Sequence, residues 1–311
     1  MVVGDLGVRR LGFGAMRLTG PGTWGEPSDR SAAKDVLRRA VEAGVNLIDT
    51  ADSYGPEVSE RLIAEALHPY PEGLVIATKG GRTRQGPYQW GVDCSPAHLR
   101  AACEASLRRL RLERIDLYQL HTVDPHVPLE ESVGALAELQ AEGKVRHIGV
   151  CNANGEQLAR ARVAATIVSV QNRYSLADRT WEDVVGVCER EELAFLPWMP
   201  LARGSLAGRG SRLGRIAAAH GARPGQIALA WLLQRSPVMV PIPGTSSVTH
   251  LEENVGALDI ELSEDELATL DQYRPPGSHS LRRSLRRRAR PYVVPILAAI
   301  LRRRAGRNQE R

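Results

Sequence analysis

Four cysteines stand in 311 residues, and Cys94, Cys103, Cys151 and Cys188 make no CxxC pair and no Cys/His spacing suited to zinc. A disulfide-stapled or zinc-built fold is thereby set aside, and the four read as reduced thiols. No apolar run approaches the ~20 residues needed to cross a bilayer. Met1 to Arg10 lacks the apolar segment of a secretory leader, so a cytoplasmic location is expected. No Gly-x-Gly-x-x-Gly turn follows an early strand, which removes the usual fingerprint of a doubly wound dinucleotide-binding sheet. A basic body is missing too. The net charge is +5, but residues 277–311 hold eleven arginines and one glutamate, and subtracting that +10 leaves about −5 elsewhere. Nucleic acid is therefore not expected as a partner of the body.

What is present is ample core material, 43% hydrophobic residues, in a repeating order. After a tight hairpin over residues 1–10, with Gly4-Asp5-Leu6-Gly7 as its turn, strand and helix alternate. Strands are expected at 11–16, 46–49, 74–78, 115–120, 145–150, 167–170, 194–198 and 238–242, eight in all. Helices follow each, with Ser28-Asp29-Arg30 and Ser95-Pro96 as clear starts. A long loop is expected over 80–94. The strands are near-continuous apolar runs, as when helices cover both faces of a parallel sheet. Eight such units over about 250 residues fit a closed (β/α)8 TIM barrel with a short N-terminal hairpin. An open doubly wound sheet is the competitor. It would spread the polar strand ends along one edge, whereas a barrel gathers them at one mouth.

Those strand ends carry the chemistry. Asp49 closes Leu47-Ile48-Asp49, Tyr54 lies five residues on, Lys79 closes Leu74-Val75-Ile76-Ala77-Thr78-Lys79, and His121 follows Ile115-Asp116-Leu117-Tyr118-Gln119-Leu120. A lysine inside a barrel loses its hydration and needs a carboxylate, which the preceding strand supplies in Asp49. A cation near a phenol favours the phenolate and lowers its pKa, suiting Tyr54 to proton donation. His121 would aim a carbonyl oxygen at that phenol. None of the four is a hydride source, so a nicotinamide cofactor is implied. Cys151-Asn152 and Gln171 offer groups for its carboxamide, and Trp198 a stacking surface. Gly244-Thr245-Ser246-Ser247 lead from the eighth strand into a helix N-terminus, a place that favours anions. Trp24, Tyr88 and Trp90 would line an aromatic substrate pocket. The other readings weighed are a non-catalytic NADPH-binding regulatory subunit and a metal-dependent barrel enzyme using His121, Asp124 and His126. The loop position of the last two disfavours a metal site.

At these residues the sequence resembles the aldo-keto reductase family over about residues 1–273. The resemblance rests on Leu47 to Gly55, Ile76 to Gly81, Asp116 to His121, Gly143 to Val150 and Ile242 to Ser247, in order. It implies a catalytic tetrad of Asp49, Tyr54, Lys79 and His121 with Tyr54 as acid. It implies NADPH, with NADH possible, held by Met16, Cys151, Asn152, Gln171, Trp198, Pro200 and Leu201. It further implies Gly244, Thr245, Ser246 and His250 near the 2′-phosphate and ribose, and Glu253 and Asn254 at the adenine. The chain looks most similar to short bacterial members that include pyridoxal reductases. It departs from the pattern at Cys151, where serine is common, and at His250, where a basic residue is common. The expected products are alcohols from aldehydes or ketones. The barrel is expected over 1–276. The tail, 277–311, reads as a disordered or loosely docked extension. Arg282–Arg290 and Arg302–Arg304 flank an apolar run there, and the sharper reading is an interfacial segment attracted to anionic membrane surfaces or nucleic acid. Nothing in the sequence sets the oligomeric state.

Overall fold

The structure is a computed structural model and describes residues 1–202 and 212–273; the Arg-rich tail lies outside the described residues, as does 203–211. Met1–Asp271 forms one compact unit, and of a second unit only Gln272 and Tyr273 are described.

The chain opens on an antiparallel hairpin, β1 (Val2–Val3) and β2 (Leu6–Gly7), so the turn is tighter than expected and Leu6 is already in a strand. Strand–helix units follow. They comprise β3 (Phe13–Gly14) and α1 (Arg30–Glu42), β4 (Leu47–Asp49) and α2 (Val58–Leu67), and β5 (Val75–Gly80), after which comes a hairpin of β6 (Arg82–Gly86) and β7 (Gln89–Val92) before α3 (Pro96–Leu110). Then come β8 (Ile115–Leu120) and α4 (Leu129–Ala141), β9 (Val145–Cys151) and α5 (Gly155–Ala164), β10 (Ile167–Gln171) and α6 (Glu182–Arg190). The chain continues with β11 (Ala194–Phe195), α7 (Arg212–Ala219), α8 (Pro224–Arg235), α9 (Val248–Val255) and α10 (Glu264–Asp271). Caps anticipated from the residues are in place. Asp29 accepts from the Ala32 N–H at 2.9 Å, and Ser95 accepts from His98 N–H with Pro96 in the first turn.

Seven strands make one parallel sheet in the order β11-β10-β9-β8-β5-β4-β3. The eighth expected strand is extended chain that closes the ring. On one side Phe195 N–H donates to Val238 O at 2.9 Å and Val240 N–H to Phe195 O at 2.9 Å. On the other, Gly12 N–H donates to Pro241 O at 3.0 Å and Gly14 N–H to Pro243 O at 3.2 Å. Pro241 and Pro243 have no N–H to return, so half of that ladder cannot form. The segment therefore bridges its neighbours without becoming a regular strand.

Side chains alternate across the barrel wall. Ile48 and Ile76 face outward and pack with Val36, Leu37, Leu62 and Ile63 of the first two helices. Leu47, Val75, Ala77, Leu117, Val240 and Ile242 face inward, and Val3, Leu6 and Val8 of the hairpin join that cluster. The inner positions two residues further along the same strands are Asp49, Lys79 and Gln119. The apolar filling thus gives way to polar groups toward the C-terminal ends, the face where barrels carry their sites.

Candidate active site

Lys79 is completely buried, and Asp49 is 2% exposed. The ammonium donates to Asp49 Oδ2 at 2.6 Å, to the carbonyl of Thr50 at 2.8 Å and toward the Tyr54 hydroxyl at 3.5 Å. Burial alone pulls a lysine toward the neutral form; here Asp49 and the neighbouring Tyr54 outweigh it, and Lys79 stays charged. The other oxygen of Asp49 accepts from Gln171 Nε2 at 2.7 Å and Gln119 Nε2 at 3.2 Å. The ion pair is therefore wrapped in hydrogen bonds, the condition under which a buried pair persists.

Tyr54 is delivered by the turn between β4 and α2. Gly55 closes that turn at φ +105°, and a Cβ there would sit 2.4 Å from Val58 Cβ. The Tyr54 and His121 rings meet edge to face with centroids 5.8 Å apart. Burial and the Lys79 and Arg82 charges hold the His121 imidazole well below its usual pKa, so it is neutral at pH 7. Ser53 Oγ lies 3.4 Å from its Nδ1. The expectation that Lys79 would bring the phenol below its ordinary pKa is not met. Burial pushes Tyr54 up to about 12, with Lys79 opposing it less strongly. Tyr54 is accordingly a neutral phenol over the physiological range.

The cofactor candidates cluster beside this tetrad. Asn152, at φ 57°, donates from Nδ2 to the His121 carbonyl at 3.0 Å and accepts from Trp198 Nε1 at 3.0 Å. The Cys151 thiol points to Gln119 Oε1 at 3.7 Å, into the barrel. Trp198 is half-buried at a strand end, with Pro200 and Leu201 after it, and Met16 is exposed. At the closing seam, the N–H groups of Gly244, Thr245 and Ser246 donate to no acceptor among the described residues. Ser247 caps α9 by accepting from His250 N–H at 3.4 Å. Gly244 is pressed on the first strand: a Cβ there would lie 2.5 Å from Gly14 O. Asn254 is buried, His250 is exposed, and Glu253 pairs with Arg223 at 3.3 Å.

Over the mouth, the loop expected at 80–94 is the β6–β7 hairpin. Arg84 lies over the Trp90 ring at 3.8 Å and near the Trp24 ring at 5.7 Å. Trp90 also meets His121, centroids 6.5 Å apart. Two of the three proposed pocket aromatics are thus assembled at the tetrad. Tyr88 is 76% exposed at φ 61° and lies against Gly22 instead. Asp124 accepts from the Cys94 and His126 N–H groups at 3.1 and 2.9 Å, fixing its loop. Among the described residues no group of three His, Cys, Asp or Glu side chains is placed to hold a metal ion.

Four residues of consequence were not singled out in the sequence. Gln119 bonds Asp49, and period-two alternation from Leu117 would have placed it inward. Asn172 exchanges hydrogen bonds with the Ala153 backbone at 3.2 and 2.8 Å, tying two strand ends together. Arg82 and Arg84 sit in the β6–β7 hairpin, where the sequence predicts a loop. A 280 Å³ depression lined by Asp5, Leu74, Asp116 and Arg146 is at the opposite end of the strands, away from all of these groups.

A parallel barrel with a lysine–carboxylate pair, a phenol and an imidazole at its C-terminal mouth fits an oxidoreductase class of site. A model of the aldo/keto reductase family matches residues 10–275. An uncharacterized oxidoreductase of Schizosaccharomyces pombe is 49% identical over 270 residues, covering 87% of this chain and 88% of its own. Pyridoxine 4-dehydrogenase of Escherichia coli is 46% identical over 275 residues, covering 86% and 96%. An aldo-keto reductase from Klebsiella pneumoniae solved with NADPH superposes at a TM-score of 0.75 with 31% identity, covering 87% of this chain and 93% of that one. The chain belongs to the aldo/keto reductase family and is an NAD(P)H-dependent oxidoreductase.

Proposed function

We propose that the protein reduces aldehydes and reactive ketones to alcohols with NADPH, Tyr54 donating the proton. The observation that carries this reading is the buried Lys79, which bonds the Asp49 carboxylate at 2.6 Å while reaching the Tyr54 hydroxyl at 3.5 Å. NADPH, when bound, supplies the hydride. Free N–H groups at Gly244, Thr245 and Ser246, beside the start of α9, suit its phosphates. Asn152 and Gln171 would hold the carboxamide, and Trp198 would face the ring. Cys151 has turned its thiol to Gln119, so it adds little to that grip.

The protein groups act on the carbonyl oxygen. Tyr54 and the neutral His121 meet edge to face at the mouth, and the two would hydrogen-bond that oxygen together. As negative charge develops there, the Lys79 cation stabilises it through the phenol. A phenol with a pKa pushed up to about 12 still gives its proton to an alkoxide, which is the stronger base. Asp49 keeps Lys79 charged and fixed in place. Trp24 and Trp90 cover the mouth and suit flat or apolar carbonyl compounds, and pyridoxal is the first to try given the Escherichia coli relative.

The test is NADPH oxidation with a panel of aldehydes including pyridoxal, run with wild type and Tyr54→Phe. The variant should lose at least ~100-fold in kcat, the usual share of a general acid, while quenching of tryptophan fluorescence by NADPH is kept. Near-normal turnover by Tyr54→Phe would reject the assigned donor. NADPH binding with no turnover of any aldehyde by wild type would reject the reductase reading in favour of a cofactor-sensing subunit.

A further inference from the structure

The two arginines of β6 stand on one face of the strand, two residues apart, but their surroundings differ. Arg84 is fully engaged. Nε donates to Gln89 O at 3.2 Å, one terminal nitrogen to Thr23 O at 2.8 Å and Ser53 O at 3.3 Å, and the other to Gly22 O at 2.8 Å and Gly86 O at 3.1 Å. Its five N–H donors are matched by five backbone carbonyls. It fastens the hairpin to the first two strand-end loops and has nothing left for a ligand.

Arg82 is half-buried and its guanidinium has neither hydrogen bond nor ion pair among the described residues. It is two residues beyond Gly80, whose carbonyl accepts from the His121 N–H at 2.9 Å. Its charge is felt at both His121 and Cys151, which sit at the ends of the adjacent strands β8 and β9. The carboxylates nearby are already used. Asp49 is matched by Lys79, Asp124 accepts from the Cys94 and His126 N–H groups, and Asp93 accepts from the Ser95 N–H at 3.0 Å. Arg82 is therefore an uncompensated cation at the rim of the pocket, beside a carbonyl-binding point formed by neutral Tyr54 and neutral His121. A planar five-donor fork in partial burial is the natural partner of a carboxylate or phosphate.

We propose that Arg82 receives an anionic group of the substrate, so that the site selects carbonyl compounds bearing a carboxylate or a phosphate. This rests on the reductase reading and deepens it. The aromatic cover of Trp24 and Trp90 holds the flat part of the molecule, and Arg82 sets which end points outward.

The experiment compares two matched pairs with the full chain and NADPH: 4-carboxybenzaldehyde against 4-methylbenzaldehyde, and pyridoxal 5′-phosphate against pyridoxal. Wild type should favour the anionic member of at least one pair. Arg82→Leu should lower that ratio of kcat/KM about tenfold, mainly through KM, and Arg82→Lys should keep part of it, as expected for one partly desolvated ion pair. The wild-type preference should shrink with added salt, and that of Arg82→Leu should not. The pair whose ratio collapses identifies the anion as carboxylate or phosphate. Quenching by NADPH at an unchanged Kd is the control that the variants fold. Ratios in Arg82→Leu equal to wild type for both pairs overturn the proposal while leaving a working reductase. Wild type that oxidises NADPH with none of the four compounds defeats the reductase reading, and this proposal with it.

Discussion

Two ionisable groups near Tyr54 give opposite consequences when altered. Lys79→Met would leave Asp49 buried without its cation, a loss of roughly 3–5 kcal/mol for a broken buried pair. Urea unfolding should register that loss, and Asp49→Asn with Lys79→Met should recover part of it; equal stability of single and double variants would contradict the pairing. Asp52 is the reverse case. It is half-buried, but its Oδ1 is buried with no partner among the described residues, and burial with the nearby Glu60 pushes its carboxyl up to about 8. In the unfolded chain the same group ionises near 3.8. Between those values the unfolded state has released the proton and the folded state keeps it, so stability falls as pH rises through the window and levels off above it. Asp52→Asn should therefore melt a few degrees above wild type at pH 8 and show no gain near pH 4. A melting difference that does not change with pH would remove Asp52 as the titrating group. At this scale the sequence revealed the tetrad because unusual side chains stood at apolar strand ends. It concealed Gln119, because an amide inside a strand carries no charge to demand a partner. It also concealed the net direction of the Tyr54 shift, because burial depends on what the whole mouth packs around the ring.

The element that shapes the pocket is the β6–β7 hairpin, and Arg84 is its fastening. Arg84→Ala would release carbonyls from three separate segments and take the cation from between Trp24 and Trp90. We expect kcat/KM for aldehydes to fall roughly 10–100-fold through misplacement of the pocket roof, with NADPH affinity changed by less than about twofold because the residues proposed to hold the cofactor lie on other strands. Parallel steady-state kinetics and fluorescence titration check this; a matching loss of NADPH affinity would place Arg84 in a different role. The hairpin was invisible in the sequence because Arg82 to Val92 shows no alternation of apolar and polar residues. It pairs over the mouth and packs little core, so hydrophobic patterning has nothing to report. The strand–helix units were legible for the opposite reason. Strands such as β5 and β10 are buried along their whole length, which requires continuous apolar runs. The closing segment broke the pattern, where Pro241 and Pro243 remove the donors that make a strand regular, and the expected strands at 11–16 and 194–198 shorten to Phe13–Gly14 and Ala194–Phe195.

Across the whole molecule the same closing segment would join stability to cofactor binding if the proposed site at Gly244 to Ser246 holds the phosphates. The ring is completed by Gly12 and Gly14 donating to Pro241 and Pro243, and the chain then runs directly into the free N–H groups of Gly244, Thr245 and Ser246. A ligand gripped there touches the place where the barrel shuts, so binding and closure stabilise each other. Binding to the folded state alone should add about 2.7 kcal/mol at a ligand concentration 100 times Kd. NADPH should therefore raise Tm by several degrees, and NADH by less if His250 and the loop reach the 2′-phosphate. Gly244→Ala tests the link. Its Cβ would lie 2.5 Å from Gly14 O, backbone that cannot swing aside, so the seam must open slightly. We expect a loss of ~1–3 kcal/mol without NADPH and a smaller rise in Tm when NADPH is added, since the same displacement moves the free N–H groups proposed to hold the phosphates. If the variant is destabilised but its Tm rises with NADPH as far as wild type, the seam is structural only and the phosphates are held elsewhere.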